Sequence, residues 1–233
     1  MRRQDLIMIL ILVLIFIPFF ISDSIYSVYE QFNSSHAFIM SFIKFAVLAT
    51  YGEVVGLRIK TGNYGLKGFG IFPRAIVWGF LGIGIKAAFV IFSAGTPAVL
   101  SYLGINDATL IMSSSITWAK VLIAFCISLA LNLTFSPVLM TIHKITDTHI
   151  IKYNGSVFCF FKPFETVEIL KEIDWKMHWG FVLKKTIPFF WIPAHTITFL
   201  LPVQFQILFA ALLGIALGII LAFAASSKPV KQQ

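Results

Sequence analysis

Apolar runs of membrane-spanning length alternate with short polar breaks along this chain, and that alternation leaves few folds open to it. Six runs can be drawn: Leu6 to Ile21, Ala37 to Leu57, Ala75 to Leu103, Lys120 to Ile142, Ile187 to Leu201 and Phe205 to Ala225. Each approaches the ~20 apolar residues that cross a hydrocarbon core of about 30 Å. Inside that core no water satisfies peptide groups, so a spanning segment is a helix or part of a closed barrel. These runs are too long and too continuously apolar for the alternating strands of a barrel. The expected fold is therefore all-α: a polytopic transmembrane helical bundle of about six segments. Composition agrees, because 58% hydrophobic residues, 12% charged residues and 25 phenylalanines exceed what a water-soluble chain of 233 residues could cover.

The charges orient the segments. Arg2 and Arg3 precede the first run, and the 22–36 break carries Asp23 and Glu30 without lysine or arginine. The next break holds Arg58, Lys60, Lys67 and Arg74, and the break from Ile105 to Thr117 again has neither lysine nor arginine. The long connector holds Lys144, Lys152, Lys162, Lys171, Lys176, Lys184 and Lys185, and Lys228 and Lys231 close the chain. Every second break is basic, which predicts that both termini face the cytoplasm. The net charge of +8 is thus a topological signal, and no nucleic-acid partner is expected. The partner is the lipid bilayer, with a homo-oligomer compatible with the pattern.

One integral membrane domain over residues 1–233 divides into four parts. Residues 1–35 form an extra N-terminal span and outer loop, and 36–142 the core helices. Residues 143–186 form a basic cytoplasmic connector with an interfacial helix, and 187–233 the C-terminal helices and tail. The N-terminal run has the basic start of a signal peptide but no small-x-small cleavage site, so it reads as an uncleaved span. The fifth run is short and carries Pro188, Pro193 and Pro202, which predict a broken or tilted helix. In the connector, IIKYNGSVFCFF alternates about Asn154-Gly155 as a tight hairpin would, with an irregular loop as the alternative. FETVEILKEIDWKMHW reads as an interfacial helix begun after Pro163 and anchored by Trp175 and Trp179.

Glu53 is the residue that asks for a reason. It lies near the end of the second run, between Gly52 and Gly56, a GxxxG pair that allows close backbone approach. A carboxylate at that depth takes a partner, takes a proton or faces water. Arg58, Lys60 or a neighbouring helix could supply the partner, so a structural ion pair and a place on a solute path both stay open. Lys44 and Lys86 lie deeper. Lys44 precedes Glu53 by nine residues, so the two point to opposite sides of one helix. Either lysine snorkels to an interface or faces a pore.

Polar and small stripes recur at helical spacing: Gly79, Gly82, Lys86 and Ser93; Ala124, Ser128, Asn132 and Ser136; and Gln206, Ala210, Gly214, Gly218 and Ala222. Such stripes are packing seams, or they line a narrow polar path. Glu53, Lys86, Ser128, Asn132 and His195 are the pore-lining or gating candidates. Gly52, Gly56, Gly79, Gly82, Ala210, Gly214 and Gly218 are the helix-packing candidates, and Pro137 and Pro193 are the candidate hinges. Among these, Glu53 tunes charge selectivity, while Ser128, Asn132 and Ser136 replace solute hydration.

Catalytic signatures do not appear. The histidines at 36, 143, 149, 178 and 195 show no metal-ligand spacing, and there is no nucleophile elbow or phosphate loop in a suitable setting. No metal, cofactor or enzymatic activity is expected. Cys126 and Cys159 read as small apolar fillers.

Several of these residues also occur in the order of a known motif set. Gly52-Glu53 stands where the Mpv-seventeen/peroxisomal-membrane-protein family has Gly-Asp in its first conserved helix. Asn132 followed by Phe135-Ser136-Pro137 stands where that family has Asp-Gln and then Phe-x-Pro. Trp191, Pro193, His195, Thr198-Phe199 and Pro202 follow the order of its last signature, with Gln206 near its arginine. Over roughly residues 40–225 the chain resembles this family of small mitochondrial, peroxisomal and bacterial membrane proteins, as a distant bacterial-type member. Leu131 replaces the aspartate, Ile192 splits the Trp-Pro pair and the arginine is missing, so no role tied to those residues carries over. The resemblance implies a four-helix-like bundle that acts as a solute channel or transporter.

The functional expectation is a channel or transporter for small polar solutes or ions. The alternative is a non-transporting accessory subunit whose stripes pack on partner helices. The start of the chain is not an arginine-rich, acid-poor presequence, which favours a bacterial plasma membrane over an organellar one.

Overall fold

The computed structural model describes residues 3–226, and over them the chain is helical with no strand. Arg2, Lys228 and Lys231, which contribute to the sidedness argument, lie outside the described residues. In chain order the elements are α1 (Arg3–Phe16), α2 (Pro18–Ile21), α3 (Asp23–Ser35), α4 (Ala37–Thr61), α5 (Ile71–Tyr102), α6 (Ala108–Ser113) and α7 (Trp118–Lys152). A 3-10 turn (Val157–Phe161), α8 (Thr166–Glu172) and α9 (Trp175–Met177) follow, then a π-helix (His178–Trp191), α10 (Ile192–Leu200) and α11 (Val203–Ser226). Four helices, α4, α5, α7 and α11, are each long and apolar enough to cross a membrane.

The first and fifth expected spans are built differently. α1 ends at Phe16, and its 14 residues rise only ~21 Å, short of a hydrocarbon core. Pro18 starts a separate short helix, because it brings no N–H to continue the ladder. Ser22 is extended, and its hydroxyl accepts from the Ile25 amide at 3.3 Å to cap α3. The expected outer loop is therefore mostly helix. The fifth run extends further back than expected, since the π-helix passes directly into α10 at Ile192. Pro188 lies inside the π-helix, where it has no N–H to donate to the ladder.

The hairpin expectation is overturned. Residues to Lys152 continue the hydrogen-bond ladder of α7, and Asn154-Gly155 terminates that helix. Asn154 and Gly155 adopt φ of 53° and 68°, and the Gly155 amide donates to the Ile150 carbonyl at 2.9 Å. A positive-φ pair serves a hairpin turn and a helix C-terminus equally; the long apolar helix before it decides the matter. Gly155 also touches Gly70, where a Cβ would meet the Gly155 Cα at 2.7 Å, so the connector is fastened to the start of α5. The following VFCFF winds into the 3-10 turn, whose Cys159 carbonyl accepts from His149 Nε2 at 2.9 Å. Burial pushes the Cys159 thiol above its ordinary value. The expected interfacial helix is present as the two short pieces α8 and α9, separated at Ile173-Asp174.

The bundle closes around α4, which packs against both α5 and α11, while α7 packs against α5 and α10. Leu48, Ala49, Ala88, Phe89, Ala124, Ile127, Leu131, Phe199, Ala210 and Ala211 form one continuous core. Glycines set the closest approaches. On the α4–α11 seam, a Cβ at Gly52 would stand 2.9 Å from the Ile215 Cα, and one at Gly218 3.0 Å from the Gly52 carbonyl. A Cβ at Gly56 would meet the Gly218 carbonyl at 3.4 Å. On the α4–α5 seam, Gly79 receives the Phe42 ring, and the Ser41 hydroxyl donates to the Gly82 carbonyl at 2.6 Å. Ala210 is buried on α11, while a Cβ at Gly214 would meet nothing within 4 Å.

Candidate functional site

Between α4, α5, α7, the π-helix, α10 and α11 lies a cavity of ≈ 360 Å³. Its outer end is marked by Lys60, His143, Lys144 and His178, and its inner end by Phe89, Leu131, His195 and Ala210. The wall between is mainly apolar, from Phe45, Ala49, Ile85, Phe135, Leu139 and Val182. Gly214 and Gly218 thin the α11 side and leave room where larger residues would fill the space.

Glu53 lines this cavity at the centre of an ionic cluster. Its Oε2 pairs with the Arg74 guanidinium, and its Oε1 accepts from Trp78 Nε1 at 2.7 Å and lies 2.8 Å from His143 Nε2. Arg74 also pairs with Asp147, donates from Nε to the Phe69 carbonyl at 2.6 Å and stands 4.3 Å from the Phe69 ring centroid. Lys144 Nζ lies 3.7 Å from Asp147 Oδ2. The rings of Trp78 and His143 lie 4.3 Å apart, which holds both donors on the same carboxylate oxygen. Helix α5 begins at Ile71, so Arg74 sits in its first turn, opposite the last third of α4. This placement lets one guanidinium bridge carboxylates of α4 and α7.

The two sequence-proposed partners of Glu53 go elsewhere. Arg58 pairs with Asp5 of α1 at 2.8 Å and packs over the Tyr64 ring, while Lys60 stands at the cavity mouth. Arg74 reads in the sequence only as a topological charge, and His143 and Asp147 are not singled out there. A signal did exist. Asn132, Ser136, His143 and Asp147 continue one face of α7 past Pro137 at spacings of four, seven and four.

Deeper in the bundle, Asn132 organises a second polar group. Its Nδ2 donates to the Ser128 carbonyl at 2.8 Å, its Oδ1 accepts from the Ser136 hydroxyl at 2.9 Å, and His195 Nδ1 lies 3.0 Å from its Nδ2. The Ser128 hydroxyl reaches across to the Ile192 carbonyl at 2.7 Å, where the π-helix passes into α10. Asn132 and Ser128 are fully buried and do not face the cavity; Ser136 and His195 do. The network therefore pins α10 to α7 and orients the His195 ring. Replacing Asn132 by leucine leaves Ser136 and His195 Nδ1 without their partner, an expected loss of about 1–3 kcal/mol read as a lower thermal midpoint in detergent.

Lys86 lies off the cavity, so the structure does not bring it together with the other candidates. Lys44 points back to α3, donating to Asn33 Oδ1 at 2.5 Å and standing 5.2 Å from the Tyr29 ring centroid, which is a snorkelling arrangement. Pro137 sits within an unbroken α7, and its carbonyl accepts from the Thr141 hydroxyl at 2.7 Å; that hydroxyl also lies 3.2 Å from His178 Nε2. Pro193 occupies the first turn of α10. Among the described residues, no group of three or more histidine, cysteine, aspartate or glutamate side chains is arranged to hold a metal ion.

Comparison with protein-family models, with curated proteins and with solved structures finds no match for the chain.

Proposed function

We propose that this chain is a membrane transporter or channel whose solute occupies the chamber between α4, α5, α7, α10 and α11. The carrying observation is the chamber itself: ≈ 360 Å³ inside a bundle of membrane-spanning helices, within the ~300–1,000 Å³ typical of small-molecule sites. Lys60 and Lys144 mark its mouth, and by the positive-inside rule that mouth opens to the cytoplasm. The six-segment topology with both termini cytoplasmic belongs to this reading: the N-terminal helices and the joined π-helix and α10 are the remaining two segments. The same holds for a bacterial plasma membrane location and for a homo-oligomer. The family resemblance supports it through placement, because Glu53, Phe135, Ser136, Trp191 and His195 all line the chamber. Ser128 and Asn132 act by holding the wall, and Lys86 has no part in the path.

The test is flux into liposomes carrying purified protein, across several classes of solute, with Gly214→Leu beside wild type. A Cβ at 214 meets nothing within 4 Å and Gly214 lines the chamber, so leucine there is expected to occupy chamber space and lower flux at least tenfold, with the thermal midpoint unchanged. A folded, monodisperse wild type that passes no solute of any class sinks the transport reading. An accessory role then takes its place, and co-purification in a stable hetero-complex is the result that would establish it.

A further inference from the structure

We infer that the chamber takes a single-chain amphipathic anion, with its carboxylate or phosphate head at the Lys60–Lys144 mouth and its chain running inward toward Phe89 and Leu131. This rests on the reading above that the chamber is a solute site, and it names the solute class.

Shape is the first argument. The α7 wall runs from Leu131 to Lys144, which at ~1.5 Å per residue is roughly 20 Å of depth. A volume of ≈ 360 Å³ spread over that depth is a narrow slot. It suits one flexible chain better than a compact polar solute or a sterol-like ring system.

The chemistry of the wall is the second. Phe45, Ala49, Ile85, Phe89, Leu131 and Leu139 offer a sugar or a hydrated ion no hydrogen-bond partners along most of the slot. Of the polar groups at depth, the Ser136 hydroxyl is committed to Asn132 and His195 Nδ1 to the same amide, which leaves the buried Trp191 Nε1 as a single donor without a partner. An alkyl chain carries no donor or acceptor of its own to leave unpaired against this wall.

Charge at the mouth is the third. Among the described residues, Arg74, Lys60 and Lys144 stand against two carboxylates, Glu53 and Asp147. Both carboxylates are engaged within the cluster, Glu53 by Arg74, Trp78 and His143 and Asp147 by Arg74. Among the described residues no hydrogen bond or ion pair holds the exposed Lys60 ammonium, and Lys144 has only the 3.7 Å contact to Asp147. With the histidines left out of the count, one cation remains over at this end. An anionic head at the end of an apolar chain matches this order of groups; a cationic or neutral head does not.

The experiment is photolabelling of the full chain in zwitterionic nanodiscs. The probes are a twelve-carbon carboxylate with a diazirine at its far end and the same chain with a phosphate, alcohol or ammonium head. Adducts are mapped by peptide mass spectrometry. The anionic probes are expected to label the inner wall around Phe89, Leu131 and Ala210 at least tenfold more than the alcohol or ammonium probes. Gly214→Leu should abolish those adducts, and the Lys60→Gln/Lys144→Gln pair should lower them at least fivefold with the thermal midpoint unchanged. Preference for either anionic head supports the inference and tells a fatty-acid-like ligand from a phospholipid-derived one. Adducts confined to outward-facing positions such as Leu133 and Val138, or equal labelling by the alcohol, overturn it. Chamber labelling without flux would support this inference and refute only transport; flux without chamber labelling would refute this inference alone.

Discussion

Arg74→Leu is expected to destabilise the protein severely, by about 3–5 kcal/mol. The guanidinium is almost fully buried and is the common partner of Glu53 and Asp147, which come from helices on either side of it. Leucine has comparable bulk but leaves two carboxylates in a low-dielectric setting, with His143, Trp78 and Lys144 to compensate. Breaking a buried pair from one side is costly because the remaining charge keeps its desolvation penalty without its counter-ion. Thermal unfolding in detergent, followed by helix signal or aggregation, reads the effect directly. Glu53→Gln is the informative companion. It keeps an oxygen to accept from Trp78 while removing the charge, so its loss should be clearly smaller than that of Arg74→Leu. Adding Glu53→Gln to Arg74→Leu should then recover part of the stability, since one unpaired carboxylate disappears. Equal midpoints for wild type and Arg74→Leu would mean that the cluster does not hold α4, α5 and α7 together.

The second large effect belongs to the α4–α11 seam. Gly52→Ile is expected to cost about 1–3 kcal/mol and to push α11 away from α4. The neighbour that a Cβ would meet at 2.9 Å is the Ile215 Cα, a backbone atom that no rotamer change can move aside. Gly218 faces the Gly52 carbonyl across the same seam, so the change also disturbs the second glycine pair. A disulfide cross-link between cysteines placed on the two helices should form less readily in the variant. Gly95→Ala is the control: nothing lies within 4 Å of a Cβ there, and alanine is the better helix former, so stability should hold or rise by up to ~1 kcal/mol. If both variants unfold at the wild-type temperature, the glycine seam does not set the helix spacing.

Much of the architecture could be read from the residues because the relevant forces are local. Twenty or so apolar residues in a row, with peptide groups that must pair within the segment, make a membrane helix wherever they occur. α4, α5, α7 and α11 follow from that argument alone. Where local rules conflict, the sequence was less informative. Pro18 divides what hydropathy joins, and Asn154-Gly155 fits a hairpin and a helix end equally well until the pairing partner is known.

The glycines illustrate the same boundary. GxxxG at Gly52 and Gly56, and the spacing of Gly214 and Gly218, mark faces that allow close approach, and that much is visible in one dimension. That these two faces meet each other, while Gly79 and Gly82 receive Phe42 and Ser41 nearer the start of α4, depends on how the helices are arranged about one another. Ser128, Asn132 and Ser136 likewise share a visible stripe. Only packing against α10 turns Asn132 and Ser128 into a clamp and leaves Ser136 and His195 on the chamber.

Glu53 marks the division most clearly. Its cost in a membrane helix, and so its need for a partner, follows from residue type and position in the chain. The partners do not: Arg58 and Lys60 are close in sequence, yet Arg58 turns to Asp5 and Lys60 to the mouth. Arg74, 21 residues on, and His143, 90 residues on, satisfy the carboxylate instead. Membrane residence and helix positions are properties of single segments, set by solvation and backbone pairing within each. Ion-pair partners and cavities are properties of how segments face one another, fixed by the sum of many small packing contacts that no one segment contains.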